Sequence, residues 1–140
     1  MEGEWSMPNE TEKLTVNLGI VELAQIDVLV EQGIFSNRSD FIRNAVRIKL
    51  EDYKDKIEQQ LLPLSSNKFW RYTIGIQKIT KKDIENLVND KQKINISVIG
   101  MLIIDKAIDA ELFEKTVEHV IIRGKLLAEK NIKEIIEKMN

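Results

Sequence analysis

Lys13, Thr15 and Asn17 are the polar, alternate residues of "KLTVNLG", residues 13 to 19. In an extended strand they share one face, and Leu14, Val16 and Leu18 share the other. These three residue types suit base edges. Lysine donates to guanine O6 and N7, asparagine bonds adenine bidentately, and threonine offers a hydroxyl and a methyl. A second group follows in "SNRSDF", residues 36 to 41. It reads as a helix start, capped by Ser36 with Ser39 three residues on, or by Asn37 with Asp40 completing a capping box. The exposed amides of such a start form an anion site. The Ser36 hydroxyl or the Arg38 guanidinium can add a bond to the same phosphate. Arg43 and Arg47, four residues apart, suit phosphate backbone contacts or ion pairs with Asp40 and Glu51.

Those residues need elements to hold them. "IVELAQIDVLVEQ", residues 20 to 32, carries a broad apolar stripe at helical spacing, and Gly33 is placed to end it. A second helix follows "SNRSDF", with Phe41, Ile42, Ala45, Val46, Leu50, Tyr53, Ile57 and Leu61 along one stripe. It is expected to run to Leu62, where Pro63 stops it. One strand and two helices cannot hide this much apolar surface, and a lone strand has unpaired edges. A two-fold homodimer closes the arrangement. Strand 13–18 of each chain pairs with its copy, both N-terminal helices cover the apolar face, and Lys13, Thr15 and Asn17 line a narrow ribbon that fits a major groove.

"KLTVNLG…VELAQIDVLVEQGIFSNRSDFIRNAV" resembles the ribbon-helix-helix repressors of the Arc, MetJ and CopG class, over about residues 12 to 53. The resemblance implies a sequence-specific DNA-binding transcriptional regulator, a repressor, with double-stranded DNA as its partner. It maps base contacts to Lys13, Thr15 and Asn17, and phosphate contacts to Ser36, Asn37 and Arg38. The alternative readings are an antitoxin-like or other protein-partner-binding protein, or a scaffold without DNA binding.

Composition narrows the classes. The 140 residues contain no cysteine and one histidine, which disfavours disulfides and thiolate or histidine metal sites. No metal or cofactor is expected, and no carboxylate, histidine or serine grouping has a catalytic spacing, so the expectation is a protein that is not an enzyme. "VIGMLII", residues 98 to 104, is far too short to span a membrane, and "MEGEWSMPNE" lacks the apolar core of a signal peptide. A cytoplasmic protein is expected. Charge is uneven: residues 1 to 62 sum to -5 and residues 63 to 140 to +3. DNA binding by the front half must therefore come from local geometry rather than bulk charge.

"LLPLSSNKFW" marks a boundary. The expected organisation is a flexible arm (1–11), a ribbon-helix-helix DNA-binding and dimerisation domain (12–62), a linker (63–68) and an assembly or regulatory domain (69–140). In the last part, Gly75, Gly100 and Gly124 recur at spacings of 25 and 24, each inside an apolar stretch that leads into a helix. The unit suggests strand, glycine, turn and helix. The fold class expected is α+β, with the N-terminal ribbon module followed by a small α/β domain. That domain is either a short solenoid or an ordinary α+β fold with coincidental periodicity. Trp70 and Tyr72 read as anchors of an early strand, and His119 as a surface or half-buried side chain. With no chemical groups to explain it, this half is expected to carry higher oligomerisation or a protein partner.

Overall fold

The computed structural model describes residues 11–61 and 69–139. The expected linker at 63–68, and all of the expected arm except its last residue, lie outside the described residues. The chain divides into two compact units, Met1–Asp52 and Tyr53–Asn140.

The first unit holds α1 (Ile20–Glu31) and α2 (Arg38–Asp52). Gly33 ends α1 with φ of +75°. Its N–H donates to Val30 O and the Ile34 N–H to Leu29 O, which satisfies two terminal carbonyls in a Schellman arrangement. A side chain at position 33 would carry the left-handed penalty. Phe35 packs edge-on against Phe41 at 5.1 Å and fixes the entry to α2.

The expected N-terminal ribbon is not present in this fold. Residues 11–19 form no strand, and the first regular elements among the described residues are helices. The three strands of the described residues all lie in the second unit of this α+β architecture. The expectation of a ribbon-helix-helix module followed by a small α/β domain is corrected accordingly. The physical reason is that alternation supplies a strand's two faces but not its hydrogen bonds. A strand exists only when another backbone pairs with it. The second helix is also shorter than its apolar stripe suggests. It breaks at Tyr53 (φ -110°, ψ 14°), beyond which α3 (Lys54–Gln59) makes a single polar turn and a half.

In the second unit, β1 (Trp70–Ile79), α4 (Lys81–Asn89), β2 (Ile94–Ile104), α5 (Ala110–Thr116), β3 (Val117–Leu127) and α6 (Lys130–Met139) alternate along the chain. The strands are parallel, in the order β1-β2-β3. Alternate strand residues Ile79, Ile94, Ile96, Val98, Leu102, Ile104 and Val120 pack with Ile84 and Leu87 of α4, Phe113 of α5, and Ile132 and Ile136 of α6. The helices thus cover one face of the sheet, and each fully buried Ile, Leu or Phe adds about 1.5–3 kcal/mol. Caps start the helices where the sequence turns. Thr80 accepts from the Asp83 N–H while the Asp83 carboxylate accepts from the Thr80 N–H, a reciprocal box at α4.

Gly75, Gly100 and Gly124 stand side by side across the sheet. All three have φ between +130° and +137°. A Cβ on Gly100 would lie 2.1 Å from Gly75 O, and one on Gly124 would lie 1.9 Å from Gly100 O. Gly100 and Gly124 therefore each receive the carbonyl of the preceding strand in the space a side chain would fill.

Candidate nucleic-acid interface

Lys13, Thr15 and Asn17 are exposed in the single chain, as are the apolar residues between them. Leu14 is 84% exposed and Val16 63%. The segment thus alternates three hydrogen-bonding side chains with three aliphatic ones and buries neither set. The same imbalance runs through the unit. Ile26 is buried, while Val21, Val28, Ile34, Val46, Ile48 and Leu50 are exposed.

The start of α2 is settled by its hydrogen bonds. Asn37 Oδ1 accepts from the Asp40 N–H at 2.8 Å, and Asp40 Oδ2 accepts from the Ser36 N–H at 3.0 Å. Asn37 is therefore the cap, of the two that the sequence left open. Ser36 lies one residue outside the helix, with its amide already engaged. The Arg38 and Ser39 amides open the helix, at the positive end of its dipole.

Arg38 reaches back to α1. Its Nε donates to Asp27 Oδ1 at 2.7 Å and its Nη2 to Asp27 Oδ2 at 2.8 Å, a two-pronged pair. The hydrogen bonds from Arg38 hold the Asp27 carboxyl below its ordinary range, and Asp27 in turn raises the Arg38 guanidinium. Both side chains are largely solvent-exposed, so the pair orients α1 and α2 more than it stabilises them. A phosphate approaching Arg38 would compete with Asp27. Sequence reasoning missed this pair: the two residues lie eleven apart across a turn, and no local spacing signals it.

Arg43 and Arg47 are exposed on α2. Neither is ion-paired with Asp40 or Glu51: the Asp40 carboxylate is turned to the Ser36 amide, and the ion pair at the end of α2 joins Lys49 to Asp52 at 3.5 Å. Both guanidinium groups are open to an anionic partner.

In the second unit the functional groups are few. His119 is half-buried on β3, and its Nδ1 lies 2.9 Å from the Oδ1 of buried Asn95. The Asn95 Nδ2 donates to Phe69 O at 3.1 Å. Since Asn95 Oδ1 can only accept, His119 Nδ1 carries the proton. Trp70 stacks on Tyr72 at 6.2 Å and faces His119 at 6.5 Å. Among the described residues no group of three or more His, Cys, Asp or Glu is placed to hold a metal ion, and no helix is long and apolar enough to cross a membrane.

A family model described as the Ribbon-Helix-Helix transcriptional regulator family matches residues 9–133. An uncharacterized protein of Methanocaldococcus jannaschii is 33% identical over 85 residues, which cover 59% of this chain and 86% of the relative. An uncharacterized protein of Archaeoglobus fulgidus is 35% identical over 48 residues, 34% of this chain and 80% of the relative. The transcriptional regulator CdrS of Halobacterium salinarum is 36% identical over 45 residues, 32% of this chain and 82% of the relative. No solved structure matches the chain significantly.

Proposed function

Since the chain belongs to the Ribbon-Helix-Helix transcriptional regulator family, a family of DNA-binding regulators rather than enzymes, we propose that it is a sequence-specific DNA-binding repressor acting as a homodimer in the cytoplasm. The observation that carries this reading is the unburied segment 13–18, in which polar and aliphatic residues alternate. Leu14, Val16 and Leu18 are too apolar to stay in water, and a second copy of the same segment, beside the exposed apolar stripes of α1 and α2, covers them. On DNA the paired segments enter the major groove with Lys13, Thr15 and Asn17 toward the base edges. The α2 start, Ser36, Asn37 and Arg38, grips a phosphate, and Arg43 and Arg47 supply further backbone contacts. The name of the CdrS relative, a transcriptional regulator, supports the same class. The organisation into a DNA-binding part (12–62), a linker (63–68) and an assembly part (69–140) belongs to this reading, as does a higher oligomer built through residues 69–140.

The test is selection of a binding site from random duplexes, followed by titration of Asn17→Ala against the selected operator and its single-base variants. The expected outcome is a loss of about 1–3 kcal/mol of discrimination at one base pair, with the fold intact by circular dichroism. Unchanged base preference after replacing Lys13, Thr15 and Asn17 together would remove the segment from the reading surface.

A further inference from the structure

We infer that the free edge of β1 receives the free edge of β3 from a second copy, which continues the parallel sheet from chain to chain. This deepens the higher-oligomer part of the proposed function and rests on it.

The first observation is directional. Within the sheet each glycine carbonyl points to the next strand: Gly75 O meets Gly100, and Gly100 O meets Gly124. The space beside Gly75 is of the same kind, at φ of +130°, yet nothing lies within 4 Å of it. Continuing the direction, the Gly124 carbonyl is turned outward from β3. One edge therefore carries an open slot and the other the group that fills such slots. Like edges do not match. In a β1–β1 pair the Gly75 carbonyl is already committed to Gly100, so it cannot enter its copy's slot. In a β3–β3 pair two outward carbonyls meet.

The second observation is independent of the glycines. On the sheet face away from the helices, Ile76 of β1 and Met101 of β2 are register partners. Met101, with strands on both sides, is 8% exposed, whereas Ile76 is 47% exposed and its neighbour Ile74 52%. Between Tyr72 and Gln77 the β1 edge carries no charge, and its two basic residues, Arg71 and Lys78, stand near its ends.

The third observation is the register. Setting Gly124 of one copy beside Gly75 of the next, in the register the sheet already uses, places the second copy's His119 opposite Trp70 and its Ile121 opposite Tyr72. Ile121 is 38% exposed and Tyr72 42%, so the pairing brings two exposed side chains together.

Such an interface is heterologous, so it extends or forms a ring rather than closing as a dimer. The experiment is sedimentation and light scattering of the full chain against Gly75→Ala. A methyl on Gly75 meets open space within the chain, but would stand about 2 Å from an incoming carbonyl, as at Gly100 and Gly124. Wild type is expected to form concentration-dependent species larger than a dimer, and Gly75→Ala to stop at the dimer, with association weakened at least about tenfold. Because the variant keeps its β3 edge, a small admixture should shorten wild-type assemblies by ending their growth. Ile74→Lys, an exposed position on the same strand, gives the same readings should Gly75→Ala fold poorly. Wild type that remains a dimer at all concentrations would overturn the inference and leave the homodimer reading standing. Assembly that persists unchanged in both variants would overturn this edge as its site, and a monomer would overturn both.

Discussion

Gly100→Ala offers the sharpest test of how the sheet is held. The new Cβ would lie 2.1 Å from Gly75 O, and the backbone there has φ of +136°. Two costs follow. A non-glycine residue in that conformation is strained by about 2 kcal/mol. The overlap is with backbone, which cannot swing aside, so β1 and β2 must part locally by about 1 Å in a tightly packed sheet. Losing two flanking ladder hydrogen bonds adds about 2–3 kcal/mol. The total, about 4–5 kcal/mol, is a large fraction of a small domain's stability. Gly75→Ala is the internal control. It has nearly the same φ, +130°, and nothing within 4 Å, so it carries the strain alone. Urea unfolding followed by circular dichroism, at concentrations where the protein does not assemble, compares the two. Gly100→Ala is expected to be less stable than Gly75→Ala by about 2–3 kcal/mol, or lower in Tm by roughly 10 °C or more. Equal stability, within about 0.5 kcal/mol, would refute the close approach of the two backbones.

Three further outcomes are expected. Thr80→Ala removes half of the α4 capping box and should cost about 1 kcal/mol, read from a thermal melt. The Asp83 carboxyl is held below 3.8, first by the Thr80 amide. A depressed folded value means that its contribution is complete above pH 3.8 and fades as pH falls through the lower folded value. Asp83→Asn should therefore flatten the acid limb of the stability curve below that pH. Asp27→Asn should release Arg38 from its two-pronged pair and strengthen binding to random duplex DNA, with a steeper salt dependence, while leaving the thermal melt nearly unchanged. Arg43→Ala and Arg47→Ala should each weaken cognate and noncognate duplexes to a similar degree and reduce the salt slope by about one, because neither side chain is tied to Asp40 or Glu51.

The amino-acid sequence determined what depends on neighbours along the chain. The helical span of α1 was legible from its apolar spacing, and its end from Gly33, because the left-handed turn that closes a helix needs a residue without a side chain. The α2 start was legible as a cap within "SNRSDF", and the absence of cysteine and of clustered histidine bounded the chemistry. The three glycines at near-equal spacing were also visible there. What the spacing is for was decided only in three dimensions, where Gly100 and Gly124 admit the carbonyl of the strand before them. Tertiary structure likewise chose Asn37 over Ser36 as the cap, because Asp40 faced the Ser36 amide. It joined Arg38 to Asp27 across eleven residues. It also overturned the N-terminal strand. Alternating residues fix which side chains share a face, and that pattern is local. Hydrogen bonds that make a strand come from another backbone, and no other strand pairs with residues 13–18 among the described residues.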